Sequence, residues 1–216
     1  YRLFWPGPKP EWSGIVPGCS HYHHYKRPTL THTQDRQQTQ LEIAGITDVR
    51  PSDLAFMDSD IAHFDLPERF ALLIPGSSLK MAMKRWPAAH YGEVAKRLHQ
   101  TGIMPVLLGS KEDQEAIQSI KTICPQARDL SGQTTLYDIP ALARAASLAI
   151  GNDTGPMHMA ALAGCQTVAI FSTRSFPEKA APRGENVTLF VEKDLLDLAV
   201  ESVWDTVETI LECGLR

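Results

Sequence analysis

The sequence predicts an α/β protein, a Rossmann-like parallel sheet with helices on both faces, preceded by an irregular segment. Two observations carry this prediction. From Arg69 onward short apolar runs alternate with amphipathic stretches long enough for about three to four helical turns, and a polar loop follows each of the first runs. Before that point neither period is sustained, and Pro6, Pro8, Pro10, Pro17 and Pro28 break the chain repeatedly. Strands that alternate with helices must lie parallel, because parallel neighbours need a crossover connection, and the crossovers cover both faces of the sheet. The expected division is therefore residues 1–68 as irregular segment and linker, and 69–216 as the folded domain.

The elements follow in order. Asp35 to Ala44 has helical spacing and ends at Gly45, a helix with a C-terminal glycine. Pro51 to Glu68 reads as linker. Phe70 to Ile74 is the first strand, followed by the loop Pro75-Gly76-Ser77-Ser78. A helix from Pro87 to Gln100 opens with proline in its first turn, and Ile103 to Leu108 is a second strand ending at Gly109. Lys111 to Cys124 and Thr135 to Ala146 read as helices, Leu148 to Gly151, Thr167 to Phe171 and Val187 to Phe190 as strands, and Leu195 to Cys213 as the closing helix.

Composition bounds the function. A chain of 216 residues, 43% hydrophobic, can bury one full domain and an accessory segment. No run approaches the roughly 20 apolar residues that span a bilayer, and the opening residues lack the pattern of a signal peptide, so the expected location is cytoplasmic. A net charge of −4 without a long basic run gives no reason to expect nucleic acid. Cys19, Cys124, Cys165 and Cys213 are widely spaced, with no Cys-x-x-Cys pair, and are expected to be reduced. The His21, His23, His24 cluster beside Cys19 lacks a second ligand group at a recognisable spacing, so no metal is assigned. The chain has no initiator methionine and opens within a Trp- and Pro-rich stretch, and is expected to be the later part of a longer protein.

Ligands of such sheets bind beyond the carboxyl ends of the strands, where three polar loops fall: Pro75 to Ser78, Gly109 to Glu112, and Gly151 to Gly155. The third is the most informative. It turns a strand into a helix N-terminus at Gly151-Asn152-Asp153-Thr154-Gly155-Pro156-Met157-His158, where free N–H groups and the helix dipole favour an anion. Asp153 or Thr154 can cap that helix, and His158 stands one turn inside it, facing a ligand or packing within the protein. In the first loop, Lys84 and Arg85 suit a diphosphate, as a point charge and a fork respectively, or form a solvated basic loop with Lys80. Glu112 is placed to accept from ribose hydroxyls, or with Asp113 to favour a helix N-terminus. Neither a dinucleotide-binding Gly-x-Gly-x-x-Gly nor a P-loop is present.

These residues resemble the bacterial lipopolysaccharide heptosyltransferases, glycosyltransferase family 9. The resemblance rests on Pro75-Gly76-Ser77, Lys84-Arg85-Trp86-Pro87, Gly109-Ser110 with Glu112, Asp129-Leu130-Ser131-Gly132 with Thr135-Leu136, and above all residues 151–158, and covers about the last two-thirds of the chain. It implies the C-terminal half of a GT-B enzyme that binds an ADP-heptose-like donor and needs no cofactor. The implied donor-binding set is Ser77, Lys84, Arg85, Gly109, Glu112, Asp153, Thr154, Gly155 and His158. Of these, Lys84 would meet the phosphates, Glu112 the ribose, and Asp153, Thr154, Gly155 and His158 the sugar-diphosphate end. The implied reaction is inverting transfer to a lipopolysaccharide core or another lipid-linked saccharide, with peripheral contact at the cytoplasmic face of the inner membrane. The family's base is an acid of the N-terminal domain, which these residues do not include, so no catalytic residue is assigned. A non-catalytic nucleotide-sugar-binding module is the alternative. Ser172 stands where the family often has glycine, and Arg174-Ser175-Phe176-Pro177 differs from its usual loop, leaving the sugar open.

Overall fold

A computed structural model describes residues 7–8, 10–24, 31–50, 53–77 and 84–213. Pro6, Pro28, Pro51, Ser78 and Lys80, all part of the sequence reading, lie outside the described residues. Contacts divide the chain into two compact units, one of residues 1–51 with Glu178–Ala180, the other of Ser52–Pro177 with Ala181–Arg216.

In the first unit, β1 (Ser13–Gly14) pairs in parallel with β2 (His21–Tyr22), and α1 spans Thr33–Ile43. His32 caps α1, its Nδ1 accepting from Gln34 N at 3.2 Å, and Gly45 follows the helix at φ 82°. The helix buries none of its side chains.

The second unit holds β3 (Phe70–Ile74), α2 (Ala88–Gln100), β4 (Met104–Leu107), α3 (Gln114–Ile123), β5 (Arg128–Asp129), α4 (Asp138–Ala145), β6 (Leu148–Asn152), α5 (Gly155–Leu162), β7 (Thr167–Ser172), β8 (Val187–Glu192) and α7 (Val200–Cys213); the short α6 (Pro177–Ala180), between β7 and β8 in sequence, belongs to the first unit from Glu178 onward. Among the described residues, six strands form one sheet in the order β5-β4-β3-β6-β7-β8, every pair parallel. β3, β6 and β7 are buried along their whole lengths, as expected of strands covered on both faces. One core layer joins Ala71, Leu73 and Ile150 to α2, α3 and α7; the other joins Leu72, Ile74 and Ala149 to α4 and α5.

The structure alters several expected boundaries. Pro87 is the N-cap of α2 rather than its first residue. Lys111–Asp113 is a 3-10 turn ahead of α3, and α4 begins three residues later than expected, behind a reciprocal cap in which Thr135 N donates to Asp138 Oδ2 at 2.6 Å and Asp138 N to Thr135 Oγ1 at 3.4 Å. The closing helix begins at Val200; Leu195 and Leu198 are buried ahead of it in irregular chain. Residues expected as linker take part in the second unit's packing. Phe64 is 4% exposed in the core layer of α4 and α5, Ser59 Oγ donates to Asp138 Oδ1, and Arg144 donates to the carbonyls of Leu54 and Met57.

Candidate nucleotide-binding cleft

Strand order fixes where a ligand can sit. From β3 the chain crosses first to β4 and β5 on one side, then returns to β6, β7 and β8 on the other, so the loops after β3 and β6 part at their carboxyl ends and leave a crevice. A cleft of about 700 Å³ opens there. Its walls come from all three expected loops: Ser77 after β3, Gly109 and Glu112 after β4, and Asp153, Thr154 and Gly155 after β6, with Gly132 and Thr134 beyond β5. Ile74, Leu108, Ile139 and Pro156 give it apolar faces.

Asn152, fully buried at the end of β6, fastens two of those loops. Its Nδ2 donates to Pro75 O at 2.7 Å, and its Oδ1 accepts from Trp86 N at 3.0 Å. Trp86 is anchored in turn by its Nε1 donating to Leu198 O at 3.0 Å, and its ring packs edge-on against His90 and Tyr91. Lys84 is thereby delivered to the β6 turn, where its Nζ lies 2.6 Å from Asp153 Oδ2. His158 flanks the other side of this carboxylate, with Nε2 3.9 Å from Oδ1. Burial opposes ionisation of Asp153, but His158 and Lys84 outweigh it and hold the carboxyl below its ordinary value.

The helix cap differs from both sequence alternatives. Thr154 occupies the N-cap of α5 with φ −146° and ψ 158°, but its hydroxyl makes no cap hydrogen bond, and Asp153 is engaged by Lys84 instead. Proline at position 156 leaves that residue without an N–H to satisfy. Among the described residues, Ser77 Oγ and Thr154 Oγ1 are buried without hydrogen-bond partners, and both residues line the cleft. Buried hydroxyls are ordinarily paired, and these two are exceptions. Gly151 brings α5 close: a Cβ there would fall 2.5 Å from Met157 Sδ and 2.8 Å from Ile74 Cβ.

Lys84, Arg85 and His158 do not line the cleft. Lys84 and His158 bear on it through Asp153, whereas Arg85 turns to the other wall, donating to Ser77 O and to Asp113 Oδ1 at 3.1 Å. Both acids after β4 line the cleft, but differently: Glu112 is exposed, and Asp113 is buried in a capping box with Ser110. Sequence reasoning missed Asn152 and the connecting role of Asp113. A polar residue closing an otherwise apolar strand, and the Ser110-x-x-Asp113 spacing, are the signals that mark them. Ser172 is buried, its hydroxyl donating to Lys193 O at 3.3 Å and accepting from Arg174 N at 3.3 Å. In the first unit His21 pairs with Glu11 at 3.1 Å and Tyr22 OH bonds His24 Nδ1 at 3.3 Å; the described residues hold no cluster of three metal-ligating side chains.

Residues 23–199 match the profile of Glycosyltransferase family 9 (heptosyltransferase). The chain belongs to that family. The lipopolysaccharide heptosyltransferase 2 of Salmonella typhimurium is 37% identical to it over 106 residues, 47% of this chain and 30% of the relative. Among solved structures, Escherichia coli ADP-heptose lipopolysaccharide heptosyltransferase II superposes with a TM-score of 0.65 at 27% identity, covering 78% of this chain and 54% of that one. A family 9 glycosyltransferase of Veillonella parvula reaches a TM-score of 0.72 at 23% identity over 91% of this chain and 64% of that one, and shows the shared fold. The family 9 chain described here thus spans about half of the solved heptosyltransferase II and aligns with under a third of the Salmonella relative.

Proposed function

We propose that this chain supplies the donor-binding half of an inverting glycosyltransferase that moves a heptose-like sugar from an ADP-sugar to a lipopolysaccharide core or related lipid-linked saccharide. One observation carries the reading: at the crevice between β3 and β6, two buried hydroxyls without partners, Ser77 Oγ and Thr154 Oγ1, belong to residues that line the same cleft as the first turn of α5. That turn favours an anion through its N–H groups and dipole. The family membership and the printed name of the E. coli neighbour supply the ADP-heptose donor and the acceptor class.

In this scheme the diphosphate lies over the start of α5 within reach of the Ser77 and Thr154 hydroxyls. Lys84 stays close through Asp153 and has N–H groups to spare for phosphate oxygens. Glu112 accepts from the ribose. As the sugar carbon leaves the diphosphate oxygen and bonds to the acceptor oxygen from the opposite face, negative charge grows on the diphosphate, and these fixed donors stabilise it. The acceptor's proton goes to a base contributed by the rest of the enzyme, and none of the described residues is assigned that role. With a lipid-linked acceptor, the working position is the cytoplasmic face of the inner membrane. No described helix is long and apolar enough to cross a membrane.

Calorimetric titration with ADP, UDP, GDP and ADP-heptose tests the reading. ADP and ADP-heptose are expected to bind in the micromolar to millimolar range, about 4 to 8 kcal/mol, more tightly than UDP or GDP. Absence of heat and of thermal stabilisation with every nucleotide would overturn it. The partial span of the relatives favours one second reading for the chain in isolation, a nucleotide-sugar-binding module without turnover. Donor binding without transfer to a lipopolysaccharide acceptor would support that reading.

A further inference from the structure

Asp113 carries a buried carboxylate in the wall of a cleft read here as a diphosphate site, and an unneutralised acid in that position would repel the ligand. Both of its oxygens are engaged. Oδ2 accepts from Ser110 N and Ser110 Oγ, each at 2.9 Å, which fixes the turn after β4; Oδ1 accepts from Arg85 Nη2 at 3.1 Å. The same Arg85 nitrogen donates to Ser77 O, in the loop after β3. Gly76 makes the approach possible, because a Cβ at that position would fall 2.7 Å from the Asp113 carboxyl. One ion pair, with side chains 23% and 10% exposed, therefore ties together the two loops that present Ser77 and Glu112.

Resting on the donor reading, we propose that Arg85 is a positioning residue that cancels the Asp113 charge and holds the Ser77 loop against the Ser110 turn, admitting an anionic diphosphate without gripping it. Arg85 is absent from the residues that line the cleft, and its inward nitrogen is already spent on the protein's own oxygens. The arrangement favours charged nucleotides by screening a wall charge, which a direct phosphate ligand would not need to do.

Titration of ADP and of adenosine into the parent chain, Arg85→Met, Arg85→Lys and the Arg85→Met/Asp113→Asn double variant tests this. Arg85→Met is expected to weaken ADP by about tenfold or more while adenosine stays within about threefold, because only the anion is repelled by the unneutralised carboxylate. Removing that carboxylate in the double variant is expected to recover about fivefold or more of the lost ADP affinity, and Arg85→Lys, which keeps the charge, to stay within about threefold of the parent. A double variant as weak as Arg85→Met, or an Arg85→Lys protein that loses ADP as a broken fork contact would, overturns the proposal and makes Arg85 a phosphate ligand. Should Arg85→Met fail to fold, the Arg85→Lys result alone decides. A parent that binds neither ligand overturns the donor reading and this proposal with it, whereas a parent that binds ADP beside an unrescued double variant overturns this proposal only.

Discussion

Lys84 and Asp153 are both largely withdrawn from water, with 18% and 11% of their side chains exposed, so removing the cation strands a carboxylate. Lys84→Ala is expected to lower unfolding free energy at neutral pH by about 1 to 3 kcal/mol and to weaken ADP binding as well. The acid dependence has a definite sign. The Asp153 carboxyl is held below its ordinary value of 3.8, so its contribution is complete above that pH and disappears as the pH falls through the lower folded value. The stability gap between parent and Lys84→Ala, measured by chemical denaturation, should therefore narrow below pH 3.8. A gap of constant size between pH 7 and about pH 2.5 would mean that the carboxylate is not what Lys84 holds. The sequence marks Asp153 as special through the polar turn between an apolar run and a helix. It does not reveal the partner, because 69 positions separate the two residues and only the sheet brings them together. Arg85 shows the same limit: its fork suits phosphate and carboxylate equally, and the burial of Asp113 beside it is a property of the fold.

The junction of β6 and α5 contributes Asp153, Thr154, Gly155 and Pro156 to the cleft. Gly151→Ala is expected to cost about 1 to 3 kcal/mol, since the added methyl has to displace Met157 and Ile74, both well buried. Because that displacement moves Asp153 and Thr154, ADP affinity should fall with the melting temperature; a variant that melts like the parent would show that α5 does not pack as closely as described. Periodicity locates the long elements well. Phe70–Ile74 falls as read, because its five consecutive apolar residues suit a strand covered on both faces, and β6 and β7 each extend one residue beyond the expected end, onto the buried polar residues Asn152 and Ser172. It fails where elements are short or where apolar spacing has another cause. β5 is two polar residues held by pairing with β4, and carries no apolar signal of its own. Leu195 and Leu198 imitate a helical period, yet they are core anchors in irregular chain ahead of α7.

At the scale of the whole domain, the site gathers at one edge of the sheet. ADP should therefore slow amide exchange in the loops after β3, β4 and β6 and in the first turn of α5. It should leave the opposite edge unchanged, where Arg69, Ser147 and Gln166 border a second cavity of about 470 Å³. Protection spread evenly over both edges would point to general tightening rather than occupancy of the cleft. The two sides of the crevice are also remote along the chain. β3 meets β4 through Phe70 opposite Met104, across a single helix, but meets β6 through Ala71 opposite Leu148, across the three helices α2, α3 and α4. Closing so long a loop is entropically slow, and pairings of this kind form late. A partly folded chain that has completed β3, α2 and β4 already has the Ser77 and Ser110 loops side by side, yet nothing opposite them. On the proposed donor reading, the capacity to hold a nucleotide is therefore expected at the end of folding, as a property of the closed sheet and of no single βα unit within it.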